Sequence, residues 1–275
     1  MKKWNGPWPG SGPSSNSKID LRKKLYYPAS VPNKAEILPK VKQLLEMHRK
    51  GLLGGEKMPE DENPGLDKLS AENLLYFTLP MALNYQRNSY KLWEAANKAY
   101  ADPETKNIFN PAAVLKMNDA KLRGALVKYK VALQPNKHPE IWRTLCNTFS
   151  RVPIDRFFQD LDFDAEKIKS HIQRNKKDFP YLSGPKILNY WLYVLGNYTD
   201  FRFKNRGHIT IAPDTHVIQA SVRLGLLAKS ETTRADVREH VAALWQNLLA
   251  EESIMPIDVH TPLWLWSRGG FIPIN

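Results

Sequence analysis

Apolar residues recur along most of this chain at the i, i+3, i+4, i+7 spacing of amphipathic helices, and the pattern predicts an all-α protein. In Lys34–Arg49 the inward positions are Ile37, Val41, Leu44 and Leu45, and Gly51 with Gly54-Gly55 marks the end. Ser70 caps a predicted helix over residues 70–86 with a dense apolar face, which Pro80 should kink or divide. Further helices are predicted over residues 89–100, 112–130 and 138–150, and another from a capping Asp164 through Arg174 with Ile168 and Ile172 inward. A long amphipathic helix over 234–251 carries Val237, Val241, Leu244, Trp245, Leu248 and Leu249.

The densest stretch opens at Ser183-Gly184-Pro185, a cap-like serine, a permissive glycine and a proline suited to a first helical turn. In the helix that follows, Ile187, Tyr190, Trp191 and Val194 share one face while Leu188, Leu192 and Leu195 make the next face apolar, so it should be buried. Lys186 at its head is therefore out of keeping with its surroundings. Ile211-Ala212-Pro213 then runs extended into Asp214, which opens a helix with Val217, Ser221 and Leu224 on one face. The position suits a structural cap and a catalytic carboxylate equally, because the first-turn amides favour an anion in either role.

Composition adds a polyanionic partner. The 275 residues carry 40 Lys and Arg against 28 Asp and Glu, a net charge of +12, which fits nucleic acid or an anionic surface. No apolar run is long enough to span a bilayer and the N-terminus lacks a signal-peptide core, so a soluble cytoplasmic monomer is expected, with no membrane partner. Cys146 is the only cysteine, which excludes an internal disulfide and a four-cysteine iron–sulfur cluster. Residues 1–33, rich in Gly, Pro, Ser and Lys with Trp4 and Trp8, read as a mobile tail. Residues 58–67 read as a polar linker at a subdomain boundary, and Lys116, Lys121, Arg123, Lys128 and Lys130 as a basic cluster that suits a solvated face or a DNA groove.

The run L-S-G-P-K-I at Leu182–Ile187, with P-D-T-H-V at Pro213–Val217 and R-L-G ending at Gly225, resembles the active-site signature of the helix-hairpin-helix DNA glycosylases. The shortened hairpin, which keeps one glycine, is similar to that of the archaeal 8-oxoguanine DNA glycosylases. The resemblance spans most of residues 70–270. It implies two packed helical subdomains with a cleft between them: residues 65–205, containing the hairpin, and residues 206–275 together with the helix in 34–64.

The same resemblance implies a bifunctional glycosylase and abasic-site lyase acting on double-stranded DNA that carries a damaged base, with no cofactor. Lys186 falls on the nucleophile and Asp214 on the catalytic acid, while Ser183 and Gly184 lie where the hairpin grips the DNA backbone. Gln86, in the polar stretch Asn84–Asn88, matches a glutamine that reads the extruded base or fills the gap it leaves. An amide satisfying a loop carbonyl is the plain alternative. Pro213, Tyr190 and Trp264 fall at base-contacting positions, and His260 stands where the family has an acid; by composition alone Trp264 reads first as a core residue. Two other classes remain: a non-catalytic DNA-binding module, and a metal-dependent hydrolase using His208, Asp214 and His216.

Overall fold

The computed structural model describes residues 33–54 and 57–274, so the 1–33 tail lies, but for Asn33, outside the described residues. Among these residues the chain forms α1 (Lys34–Arg49), α2 (Ala71–Ala82), α3 (Ser89–Ala101), α4 (Pro111–Lys116), α5 (Asp119–Lys128) and α6 (Lys137–Arg151). It continues with α7 (Ile154–Asp160), α8 (Ala165–Arg174), α9 (Pro185–Tyr198), α10 (Thr215–Leu224), α11 (Val237–Leu249) and α12 (His260–Arg268). No strand forms among them; Asp164 and Lys204 make an isolated parallel bridge. The protein is all-α, as the periodicity predicts. No helix among the described residues is long and apolar enough to cross a membrane.

Side-chain caps place several helix starts. Ser70 Oγ accepts from Asn73 N at 3.1 Å, Asn88 Oδ1 from Lys91 N at 3.1 Å, and Asp164 Oδ1 from Glu166 N at 2.9 Å. Asp214 Oδ1 accepts from Val217 N at 2.9 Å. Each such cap satisfies an orphan amide and contributes ~1 kcal/mol. At its other end α10 stops on Gly225, whose φ of 80° is the left-handed value that only glycine adopts freely.

Local structure departs from the pattern at several points. The predicted 112–130 helix is two, because Asn118 accepts from Lys121 N at 2.9 Å and starts α5 afresh. Pro80 does not divide α2, which runs on to Ala82. Ser183 is not the cap of α9: Gly184 occupies that position with no side-chain cap, and the Ser183 carbonyl accepts from Gln173 Nε2 at 2.6 Å. The 234–251 helix is shorter, with a 3-10 turn at Lys229–Thr233 preceding α11. Neither α7 nor α12 was evident from periodicity: α7 spans only seven residues, and α12 is short and buried on more than one face.

Buried apolar side chains gather in two clusters. The first takes α2 to α9, with Trp93, Trp142 and Trp191 fully buried. The second takes α1, α10, α11 and α12 around Trp245. Among the buried indoles, Trp142 donates to Ile108 O at 2.8 Å, Trp191 to Thr78 Oγ1 at 3.0 Å and Trp245 to Ser221 Oγ at 2.9 Å. Ile209 is buried in the first cluster and Ile211 in the second, so the chain crosses between them at Thr210. Lys186 and Asp214 therefore stand on opposite sides of that crossing.

Candidate active site

Burial of α9 is what makes its first residue chemically unusual. Ile187, Leu188, Trp191, Leu192, Val194 and Leu195 are all buried, leaving Lys186 half-buried at the helix head. Its amine is held below the ordinary lysine value, chiefly by loss of water and further by Arg238, while Asp214 opposes the shift. A lysine in this state has more neutral amine at neutral pH than an exposed one, which is the form that attacks carbon. Arg238, on the exposed face of α11, was not legible as a neighbour because its helix reads simply as amphipathic.

Asp214 is delivered by a rigid approach. Ile211, Ala212 and Pro213 are buried, the proline ring fixes its own φ, and the carboxylate caps α10. From α12 comes His260, 5% exposed, whose imidazole is pushed down to about 4 by burial and by Lys186, against the pull of Asp214. It is therefore neutral at pH 7, with one ring nitrogen a donor and the other an acceptor. Its Nδ1 is buried and makes no hydrogen bond to another group among the described residues. Lys186, Asp214 and His260, drawn from α9, the head of α10 and the head of α12, thus lie within mutual electrostatic reach.

Tyr190 lies one turn beyond Lys186 on the same face. Its ring stacks on Tyr193 at 5.8 Å and meets His260 at 5.2 Å, and its hydroxyl donates to Glu60 Oε1 at 2.6 Å. Tyr193 in turn shares a 2.9 Å hydrogen bond with Thr261 of α12. Glu60 is the site's hidden member. The 58–67 stretch, polar by sequence, folds there into a 3-10 turn (Pro59–Asp61) that packs on α3 and leaves Glu60 only 1% exposed.

Burial pushes the Glu60 carboxyl up from 4.5 to about 7, Asp61 adding to the rise and the Tyr190 hydrogen bond opposing it. The folded protein holds this proton more tightly than the unfolded chain does. Below pH 4.5 both states are protonated; as pH climbs to about 7 the unfolded chain ionises first, and about 3 kcal/mol of stability is lost. Glu60→Gln, which still accepts from Tyr190, should be the more stable protein at pH 8 and nearly matched to wild type at pH 4. Guanidinium unfolding at the two pH values checks this, and equal stability at pH 8 would contradict it.

Trp264 follows His260 by one turn of α12 and is half-buried, packed against the second core cluster. Its ring meets Tyr90 of α3 at 6.2 Å and His216 of α10 edge-on at 5.5 Å, and the Arg268 guanidinium lies 4.9 Å over it. The structure thus sets Tyr190 and Trp264 in two separate aromatic groups, one with Tyr193 and His260, the other with Tyr90 and His216. Arg268, the next turn along α12, also covers Tyr90 at 4.7 Å, and nothing in its sequence position marked it out.

Gln86 is exposed in the turn between α2 and α3, in left-handed backbone with φ 45°. Tyr181, in the turn between α8 and α9, also has positive φ, 66°, and its ring meets that of Tyr85 edge-on at 5.3 Å. Non-glycine residues in this region store strain, and here two such turns lie side by side. Gly184 has a steric reason as well: a Cβ there would come 3.2 Å from Tyr181 O. Ser183 is half-buried.

The metal alternative does not assemble. His216 Nδ1 is 3.2 Å from Ser267 Oγ, His208 Nε2 is 3.7 Å from Glu166, and no three His, Cys, Asp or Glu side chains gather as a metal set among the described residues. In the basic cluster Lys128 pairs with Asp102 and Glu104 at 2.7 Å each, while Lys116, Lys121, Arg123 and Lys130 are exposed. No family model matches the chain, and no curated protein matches it.

Proposed function

We propose that this protein is a bifunctional DNA glycosylase and abasic-site lyase of the helix-hairpin-helix type, excising a damaged base, with 8-oxoguanine the first candidate. The observation that carries the reading is Lys186: an amine half-buried at the head of an apolar helix and electrostatically coupled to Asp214 across the boundary of two cores. A base cannot be attacked inside stacked DNA, so the nucleotide is extruded at a cost of a few kcal/mol and caught against flat side chains. Trp264 supplies one such surface, and the neutral His260 imidazole offers a donor or acceptor to the base edge.

Lys186 Nζ then bonds to the sugar C1′ as the glycosidic bond breaks and its electron pair leaves with the base. The amine proton passes to Asp214, whose charge also stabilises the cationic sugar. Opening of the sugar gives a Schiff base, and loss of a C2′ proton expels the 3′ phosphate by β-elimination. The turn between α8 and α9, flanked by Lys176 and Lys177, faces the duplex backbone with first-turn amides of α9 that have no side-chain cap. The net charge of +12 supports the same partner.

A panel of duplexes, each with one damaged base, tests this by free-base release and strand nicking. Release with nicking on at least one lesion is the expected result. Duplex binding without base release from any lesion would replace the enzyme with a non-catalytic DNA-binding protein.

A further inference from the structure

Asn189, three residues beyond Lys186 on α9, is 4% exposed, and an amide so deeply buried has to be satisfied. Its Nδ2 donates to Pro185 O at 2.7 Å, in the same helical turn as Lys186. Its Oδ1 accepts twice, from Thr210 N at 3.0 Å and from Lys169 Nζ at 2.8 Å, and Lys169 Nζ donates also to His208 O. Three elements thus meet at one amide: α8 through Lys169, the first turn of α9, and the 208–210 segment.

Thr210 is where the chain passes from one core to the other, and it lies four residues before Asp214. Upstream, the segment is already fastened to the start of α8: Lys204 N donates to Phe163 O at 2.8 Å, Ala165 N to Lys204 O at 3.0 Å, and Asn205 Nδ2 to Asp164 Oδ2 at 2.8 Å. The bonds at Asn189 extend this fastening to Thr210. Beyond it Ile211, Ala212 and Pro213 are buried and have little freedom, so the position of Thr210 is carried to Asp214.

We propose that Lys169 and Asn189 are positioning residues: they clamp the helix that bears Lys186 to the crossing segment that bears Asp214, and so set the separation of the two reacting groups. The inference rests on the glycosylase reading for its catalytic consequence. Lys169 spends its ammonium on two neutral oxygens, with no carboxylate within salt-bridge distance among the described residues, and burial pushes its amine down to about 8. A lysine serving only solubility would not be withdrawn from water in this way.

Lys169→Met keeps the length of the side chain and removes the donor. Single-turnover base release should fall about 100-fold while duplex Kd stays within about twofold, the signature of a misplaced reacting group. Lys169→Arg, which can donate to both oxygens, should recover most of the rate. A second reading needs no DNA: in uniformly ¹³C-labelled protein the Lys186 Cε resonance, assigned by its loss in Lys186→Arg, is titrated against pH. Asp214 holds that amine's pKa up, so Lys169→Met should move the titration downward, in the direction of Asp214→Asn.

A wild-type rate with a wild-type titration in Lys169→Met overturns the clamp, as does a loss of binding that parallels the loss of rate. If Lys169→Met fails to fold, Lys169→Gln, which keeps a donor for one of the two oxygens, is measured in the same way. If the unmodified protein releases no base from any duplex, the glycosylase reading fails by itself, and the titration still decides the clamp.

Discussion

Lys186→Gln should abolish both strand nicking and borohydride cross-linking to damaged duplex, a loss on the order of 10³-fold or more, and leave duplex affinity nearly unchanged. A lysine that attacks C1′ passes through an iminium ion, which borohydride reduces to a stable amine joining protein to DNA. A glycosylase that uses water leaves nothing to reduce. The glutamine amide keeps most of the side chain's volume at a position that is half-buried and outside the packed face of α9, so the fold should tolerate it. Trapping and nicking assays on damaged duplex check the result. An active wild-type protein that never cross-links would rule out the covalent route.

Asp214→Asn should separate the two halves of the reaction. Base release should drop on the order of 10²- to 10⁴-fold, because the carboxylate that takes the amine proton and faces the cationic sugar is lost. The helix should survive: asparagine accepts from Val217 N as aspartate does, and only the charge–dipole contribution, about 0.3–1 kcal/mol, disappears. Asp214 holds the Lys186 pKa up, so its neutralisation lets the amine fall further and increases the neutral fraction at pH 7. Pre-formed abasic sites should therefore still be nicked, slowly, while intact lesions are not processed. Parallel rate measurements on the two substrates decide it, and equal losses on both would remove Asp214 from the base-release step.

What the chain shows without its tertiary structure is what depends on neighbours a few residues away. Ser70, Asn88, Asp164 and Asp214 cap their helices through amides two or three positions on, and sequence order alone places those partners. The burial of α9 and the oddity of Lys186 at its head follow from periodicity for the same reason. Where two local signals compete the outcome is harder to see. Asn118 won against a continuous apolar rhythm and split α4 from α5, and Gly184 rather than Ser183 became the cap of α9.

The remainder belongs to contacts between residues far apart in the chain. Glu60 reads as part of a polar linker, and the arrival of Tyr190, 130 residues later, gives its carboxyl a hydrogen bond inside the core. Nothing near Lys169 or Asn189 announces that one side-chain amide will join two helices to the point where the chain changes cores. The neutral state of His260 likewise comes from its burial and from Lys186, which belongs to another helix. Caps and faces are settled within a few turns of backbone, where few conformations compete. Desolvation, pKa and the spacing of reacting groups depend on which surfaces the folded chain closes over, and those are decided by packing.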